Sequence, residues 1–281
     1  MSDCIYSSGD QGRLRAVVPD LLRYRGLLLD LVSKELRARY RNAMIGFFWA
    51  VLQPLLLTLI LAFVFTVVFR VGGRGGVRQT ALEILAKLIF WQFLSGSLIM
   101  GANSLLDNQQ LVKKVHFPRE TIPLSIVLNA LVNLGIGFVV LLVLHVVLAG
   151  APSWGAVWIP FLFVIQFVMV VGLALLFAAA NVYFRDVAYL LEVVLAFGFY
   201  ASPILYPLEK VAEGLAGQPW LYALYRANPM AGLLTAYRDA LIDGRLSNPQ
   251  MLLWPAVFAV LSLLAGAAVF RRCAPRFADH L

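Results

Sequence analysis

The chain has 281 residues, 61% hydrophobic and only 14% charged, with a mean hydropathy of +0.83. Soluble domains carry about a quarter charged residues, so this make-up excludes an ordinary water-soluble fold and leaves an integral membrane protein of about six spans with no second globular domain. A net charge of +8 would suggest nucleic acid in a soluble chain, but here the basic residues sit at the feet of apolar runs, where anionic lipid headgroups are the expected partner and nucleic acid is not.

Residues 27–41 lead the pattern. On a helical projection Leu28, Leu29, Leu31, Val32, Leu36 and Tyr40 gather on one arc and Asp30, Lys34, Arg37 and Arg41 on the other, an amphipathic helix lying in the interface. Glu35 and Arg39 interrupt the apolar arc at a spacing that lets them neutralise each other. Two readings stay open, a face that meets protein and a basic anchor for the first span. No cleavable signal peptide is expected, because mostly polar residues precede the first apolar run and no small-residue cleavage site follows it.

Residues 44–69 carry no formal charge and exceed the ~20 needed to cross a bilayer as a helix. A glycine-rich loop follows, and then a second span, 81–106, that opens with Glu83 and Lys87 one turn apart, near enough to its end for Lys87 to reach the headgroups. The polar loop after it contains LVKKVHFPRE, 111–120, a helix-prone basic piece stopped by Pro118. The third span, 121–148, places Asn129 and Asn133 on one face; the fourth is 156–180. The turn NVYFRD offers Arg185 and Asp186 as an ion pair or a cap for the fifth span, 187–206, and the last span is 250–270. Residues 207–249 are too polar to span and too apolar for a plain loop. Their Trp, Tyr and Leu residues at helical spacing, broken at Asn228-Pro229, predict two short helices, re-entrant or interfacial, that pack on protein or line a wet cavity.

Roughly twice as many Lys and Arg fall on the side of the termini as on the other, which places both termini in the cytoplasm and the 207–249 segment outside. Catalytic equipment is missing: there is no HExxH or GxSxG, Cys4 and Cys273 lack metal-ligand spacing and read as reduced thiols, and residues 72–76 lack the Lys-Ser/Thr of a P-loop. No cofactor or metal is expected on this chain, so active transport must draw on a separate ATPase or an ion gradient. Glu83, Lys87 and Glu192 lie close to span ends, which argues against proton or sodium coupling. A separate ATPase needs a cytoplasmic handle, and 111–120 supplies one.

The blocks KELRARYRNAMIGFFWAVLQPLL (34–56), LVKKVHFPRETIPL (111–124), NVYFRDV (181–187), ASPILYP (201–207) and Asn228-Pro229 resemble, in order, the motifs of ABC-2 type permeases. The branch they are most similar to exports lipid-linked polysaccharide such as O-antigen, with teichoic acid and capsule exporters as relatives. One departure is Lys87-Leu-Ile-Phe-Trp91, where the family tends to have Gly-Leu-Leu-Pro-Trp.

The resemblance implies an all-α half-transporter of the inner membrane: six transmembrane helices, an N-terminal interface helix, and two short gate helices between spans 5 and 6. It implies a homodimer around a central channel, with two copies of a nucleotide-binding subunit that holds the ATP and Mg. Leu111, Val112, Lys113, Lys114, Val115, His116, Phe117, Pro118 and Arg119 correspond to the coupling helix. Glu35, Arg37, Arg39 and Arg41 lie where a lipid pyrophosphate approaches, and the arginines are candidates to bind it by charge-assisted hydrogen bonds. Phe47, Phe48, Trp49, Tyr200, Tyr206, Trp220, Tyr222, Tyr225 and Tyr237 are candidate channel aromatics for a sliding sugar chain, or else members of the interfacial aromatic belt. An ion-coupled secondary transporter and a lipid-modifying membrane enzyme are the competing classes.

Overall fold

A computed structural model describes residues 23–40, 46–68, 76–115, 117–150 and 153–281. Every regular element among them is helical. In chain order the α-helices are α1 (Arg25–Tyr40), α2 (Gly46–Phe63) running into a π-helical turn (Val64–Val68), α3 (Gly76–Asp107), α4 (Gln109–Lys114), α5 (Thr121–Ala149), α6 (Ile159–Tyr183), α7 (Val187–Tyr200), α8 (Leu208–Gly214), α9 (Pro219–Arg226), α10 (Pro229–Arg238) running into a π-helical turn (Asp239–Asp243), α11 (Leu253–Cys273) and α12 (Phe277–His280).

Among the described residues, five segments are long and apolar enough to cross a membrane: Val51–Val68, Gly76–Asp107, Thr121–Ala149, Trp154–Tyr183 and Pro249–His280. The expected fifth span is shorter than its apolar run. α7 has 14 residues, or about 21 Å at 1.5 Å per residue, against a hydrocarbon core of ~30 Å. It stops because Ala201–Tyr206 is a string of turns around Pro203.

α3 is the axis of the bundle. It touches α2, α5, α6, α7 and α10, and its membrane window is mostly buried. Its aromatics meet different neighbours in succession: Phe90 meets Phe138 and Tyr237, Trp91 meets Phe199, and Phe93 meets Phe163. The closest pair is α6 with α11, where small residues let two backbones touch. A Cβ added at Gly266 would lie 2.0 Å from the Gly172 carbonyl oxygen, and one at Gly172 would lie 2.3 Å from the Leu263 nitrogen.

The 207–249 segment holds three helices where two were expected, because a first short helix, α8, precedes the aromatic one. Pro229 opens α10, and Asn228 caps it by accepting from Met230 N at 3.0 Å. The same Asn228 amide donates to Ser202 Oγ at 2.8 Å, so two distant motif blocks are one joint.

Asp186 does not cap α7 through its side chain, and Arg185 and Asp186 are both exposed. The buried Asn181 takes that role: its carbonyl accepts from Ala188 N at 3.1 Å while its amide donates to Ala102 O at 3.0 Å. An ionised residue would have lost solvation there, whereas a neutral amide serves three helices at once.

Candidate functional site

At one end of the bundle the chain turns from α3 into α4 across Asn108. Asn108 donates to Ser104 O at 2.9 Å and accepts from Lys34 Nζ of α1 at 2.9 Å. Val112 is buried with Leu31, Leu105, Ile122, Phe270 and Phe277, which joins α1, α3, α5 and the last helices in one cluster. Leu111 and Phe117 pack at its edge. α4 ends at Lys114, because Val115 is extended, so the helix is shorter than the 111–119 expected of it.

The return strand of this loop is pinned to the last span. Arg119 donates to the Ala274 carbonyl, Glu120 meets Arg271 at 3.4 Å, and Pro118 O accepts from Thr121 Oγ1 at 2.8 Å. Burial lowers the Arg119 guanidinium from its usual range, against the opposing pull of Asp279 and Glu120. Lys113, Lys114 and Val115 are left exposed, and His116 lies outside the described residues. The result is a basic knuckle whose root is tied to α3, α5 and α11.

α1 packs on α5 and α2. Leu31 is buried and Leu29 exposed, so the helix meets the bundle along a narrower face than its apolar arc suggested. Arg37 is exposed and Glu35 half-buried; the Arg39 side chain and Arg41 lie outside the described residues, as does the Glu35–Arg39 pair.

The opposite end carries a charge cluster that sequence reasoning did not assemble. Arg238, closing α10, sits 3.4 Å from Glu83 of α3, 3.1 Å from Asp239 and 2.5 Å from Asp243. Burial pulls the Arg238 guanidinium down, but Glu83 and Asp243 hold it above its usual value. Burial raises the Asp243 carboxyl despite the attraction of Arg238. Lys87 does not reach the headgroups as expected. It is 3% exposed, because α3 begins at Gly76 and places it three turns deep, near Glu83 and Arg238. The only sequence hint of this joint was the Glu83/Lys87 spacing; Arg238 stood in a segment read for its aromatics.

The candidate aromatics divide. Tyr237 is fully buried and stacks on Phe90, with ring centroids 3.5 Å apart, so it belongs to the core and has no face free for a channel. Tyr206 is half-buried and donates to Tyr200 O at 2.5 Å; Tyr222 and Tyr225 are also half-buried. Phe48, Trp49, Tyr200 and Trp220 are exposed, and the Phe47 side chain lies outside the described residues. Tyr200 belongs to a continuous open face of α7 with Tyr189, Glu192, Val193 and Phe197.

Residues 27–242 match the family described as ABC-2 type transporter. The chain is 33% identical over 265 residues to the O-antigen export system permease protein RfbA of Myxococcus xanthus, covering 94% of this chain and 99% of that one. It is 29% identical over 256 residues to the protein of the same name from Klebsiella pneumoniae, covering 91% and 95%. To the polysialic acid transport protein KpsM of Escherichia coli it is 25% identical over 246 residues, covering 86% and 91%.

Proposed function

Since the chain belongs to the ABC-2 type transporter family, we propose that it is the permease subunit of an ATP-driven exporter that moves a lipid-linked polysaccharide of the O-antigen class across the bacterial inner membrane. The near full-length similarity to an O-antigen export permease carries this reading. Capsule export is the second reading, supported by the weaker similarity to a polysialic acid transporter.

The permease works as a homodimer with two copies of an ATPase subunit, which holds the ATP and Mg. Lys113, Lys114 and Val115 seat in that subunit, whose stroke passes through the pinned Arg119 and Glu120 into α5 and α11. Six crossings place both termini in the cytoplasm, α7 serving as a short crossing completed by the turns after it and α8 to α10 closing the outer side. The α7 faces of the two copies line the passage. An exposed Glu192 between Tyr189 and Phe197 is costly against lipid and compatible with a hydrated path. Arg37, Arg39 and Arg41 attract the lipid pyrophosphate at the inner mouth.

Deletion of the gene in its host should abolish surface polysaccharide and leave lipid-linked chains inside. The reading is refuted if the polysaccharide still reaches the surface. Reconstituted with its ATPase, the permease should require ATP hydrolysis; full transport by the chain alone would refute the division of labour.

A further inference from the structure

Between the start of α3, the end of α5 and the turn after α10 lies a cavity of about 430 Å³, within the ~300–1,000 Å³ of small-molecule sites. Its polar lining comes from Arg78, Gln79, His145, Ser153 and Asp243, with Leu148 among the apolar side chains beside them. His145 stands out: it is 6% exposed, and its imidazole has no hydrogen-bond partner among the described residues. The ring lines the cavity, so a group that enters can take up the hydrogen bonds that the protein itself leaves open.

We propose that this cavity is a saccharide-binding site, taking one or two sugar units of the exported glycan at the outer end of the bundle. The inference rests on the export reading given above. The wall offers one guanidinium and one carboxylate, so an ion of either sign meets a like charge as well as an opposite one. Both are already engaged: Arg78 Nη2 donates to Leu148 O at 3.2 Å, and Asp243 Oδ2 accepts from Arg238 at 2.5 Å. What remains free is a ring of directed donors and acceptors, namely the rest of the Arg78 fork, the Gln79 carbonyl, both His145 nitrogens, the Ser153 hydroxyl and the second Asp243 oxygen. Mixed donors and acceptors at close spacing suit the vicinal hydroxyls of a neutral polyol, each of which both gives and takes a hydrogen bond. Leu148 and its apolar neighbours can cover the C–H face of a ring. An isolated phosphate would meet the Asp243 carboxylate, and a metal cation would meet Arg78.

The test is saturation-transfer NMR on the full chain with its ATPase in lipid nanodiscs, using methyl mannoside, methyl galactoside, methyl rhamnoside and methyl N-acetylglucosaminide at millimolar concentration. At least one glycoside should receive transfer. His145→Leu and Ser153→Ala should each weaken it about tenfold, the usual effect of deleting one hydrogen-bonding group. His145→Gln, which keeps a donor and an acceptor, should stay within about threefold of the parent. Ser153 lies outside the spans, so its variant keeps the test open if His145→Leu fails to assemble. Absence of transfer to any glycoside, or transfer unchanged in both weakening variants, overturns the proposal. So does competition for the cavity by glycerophosphoethanolamine or inorganic phosphate in place of the glycosides. Surface polysaccharide in the deletion strain is scored separately, so loss of the export reading and loss of the site give different results.

Discussion

Replacing Arg238 by Ala removes the one cation among the described residues that pairs with Glu83, Asp239 and Asp243 together. The arginine side chain is 21% exposed and its partners 14%, 5% and 34%, so the joint is neither a surface pair nor a fully dry one. An exposed ion pair contributes up to ~1 kcal/mol, whereas stranding a buried partner costs ~3–5 kcal/mol. Glu83 keeps Gln79 Nε2 and Asp239 keeps Ser247 N as donors, so neither is fully stranded, and the expected loss lies at the low end, about 3 kcal/mol. At ~2–4 °C per kcal/mol for a chain of this size, the melting midpoint of the purified complex should drop by about 6–12 °C. Adding Glu83→Gln to Arg238→Ala should recover part of the loss, since one stranded carboxylate is then neutral. The physical reason would be wrong if Arg238→Ala melted within a degree or so of the parent, or if the double variant were no more stable than the single one.

Asp243→Asn should be tolerated within about 1 kcal/mol. Its folded carboxyl is raised, so the fold favours the protonated form; that contribution is full below the unfolded carboxyl's range and is lost as pH rises through the raised value. Gly266→Ala drives a methyl against the Gly172 carbonyl and should cost more than the ~1–3 kcal/mol of ordinary overpacking, read as lost assembly in size-exclusion profiles. Phe277→Ala opens a void beside the fully buried Phe270 and should destabilise by about 3–5 kcal/mol. Lys113→Glu with Lys114→Glu should leave folding intact and weaken co-purification with the ATPase, because both side chains point to solvent. Unchanged co-purification would remove them from the docking surface.

Composition and local order were enough to read a helical membrane bundle, the start of α5 at Thr121, the proline break at Asn228-Pro229 and the basic loop between two spans, since each depends on neighbours in the chain. Hydropathy overran α7, because the apolar run continues through Pro203 after the helix has ended. A tyrosine at helical spacing likewise carries no mark of whether it meets a channel or Phe90, and Tyr237 met Phe90.

The joints were decided only in three dimensions. Arg238 reaches Glu83 across 155 positions, Arg119 reaches Ala274 across as many, and Asn181 reaches Ala102 across 79. Such contacts leave no local periodicity to detect. A buried polar group needs a partner, but the chain alone does not say which one, and that choice follows from how α3, α6, α10 and α11 pack.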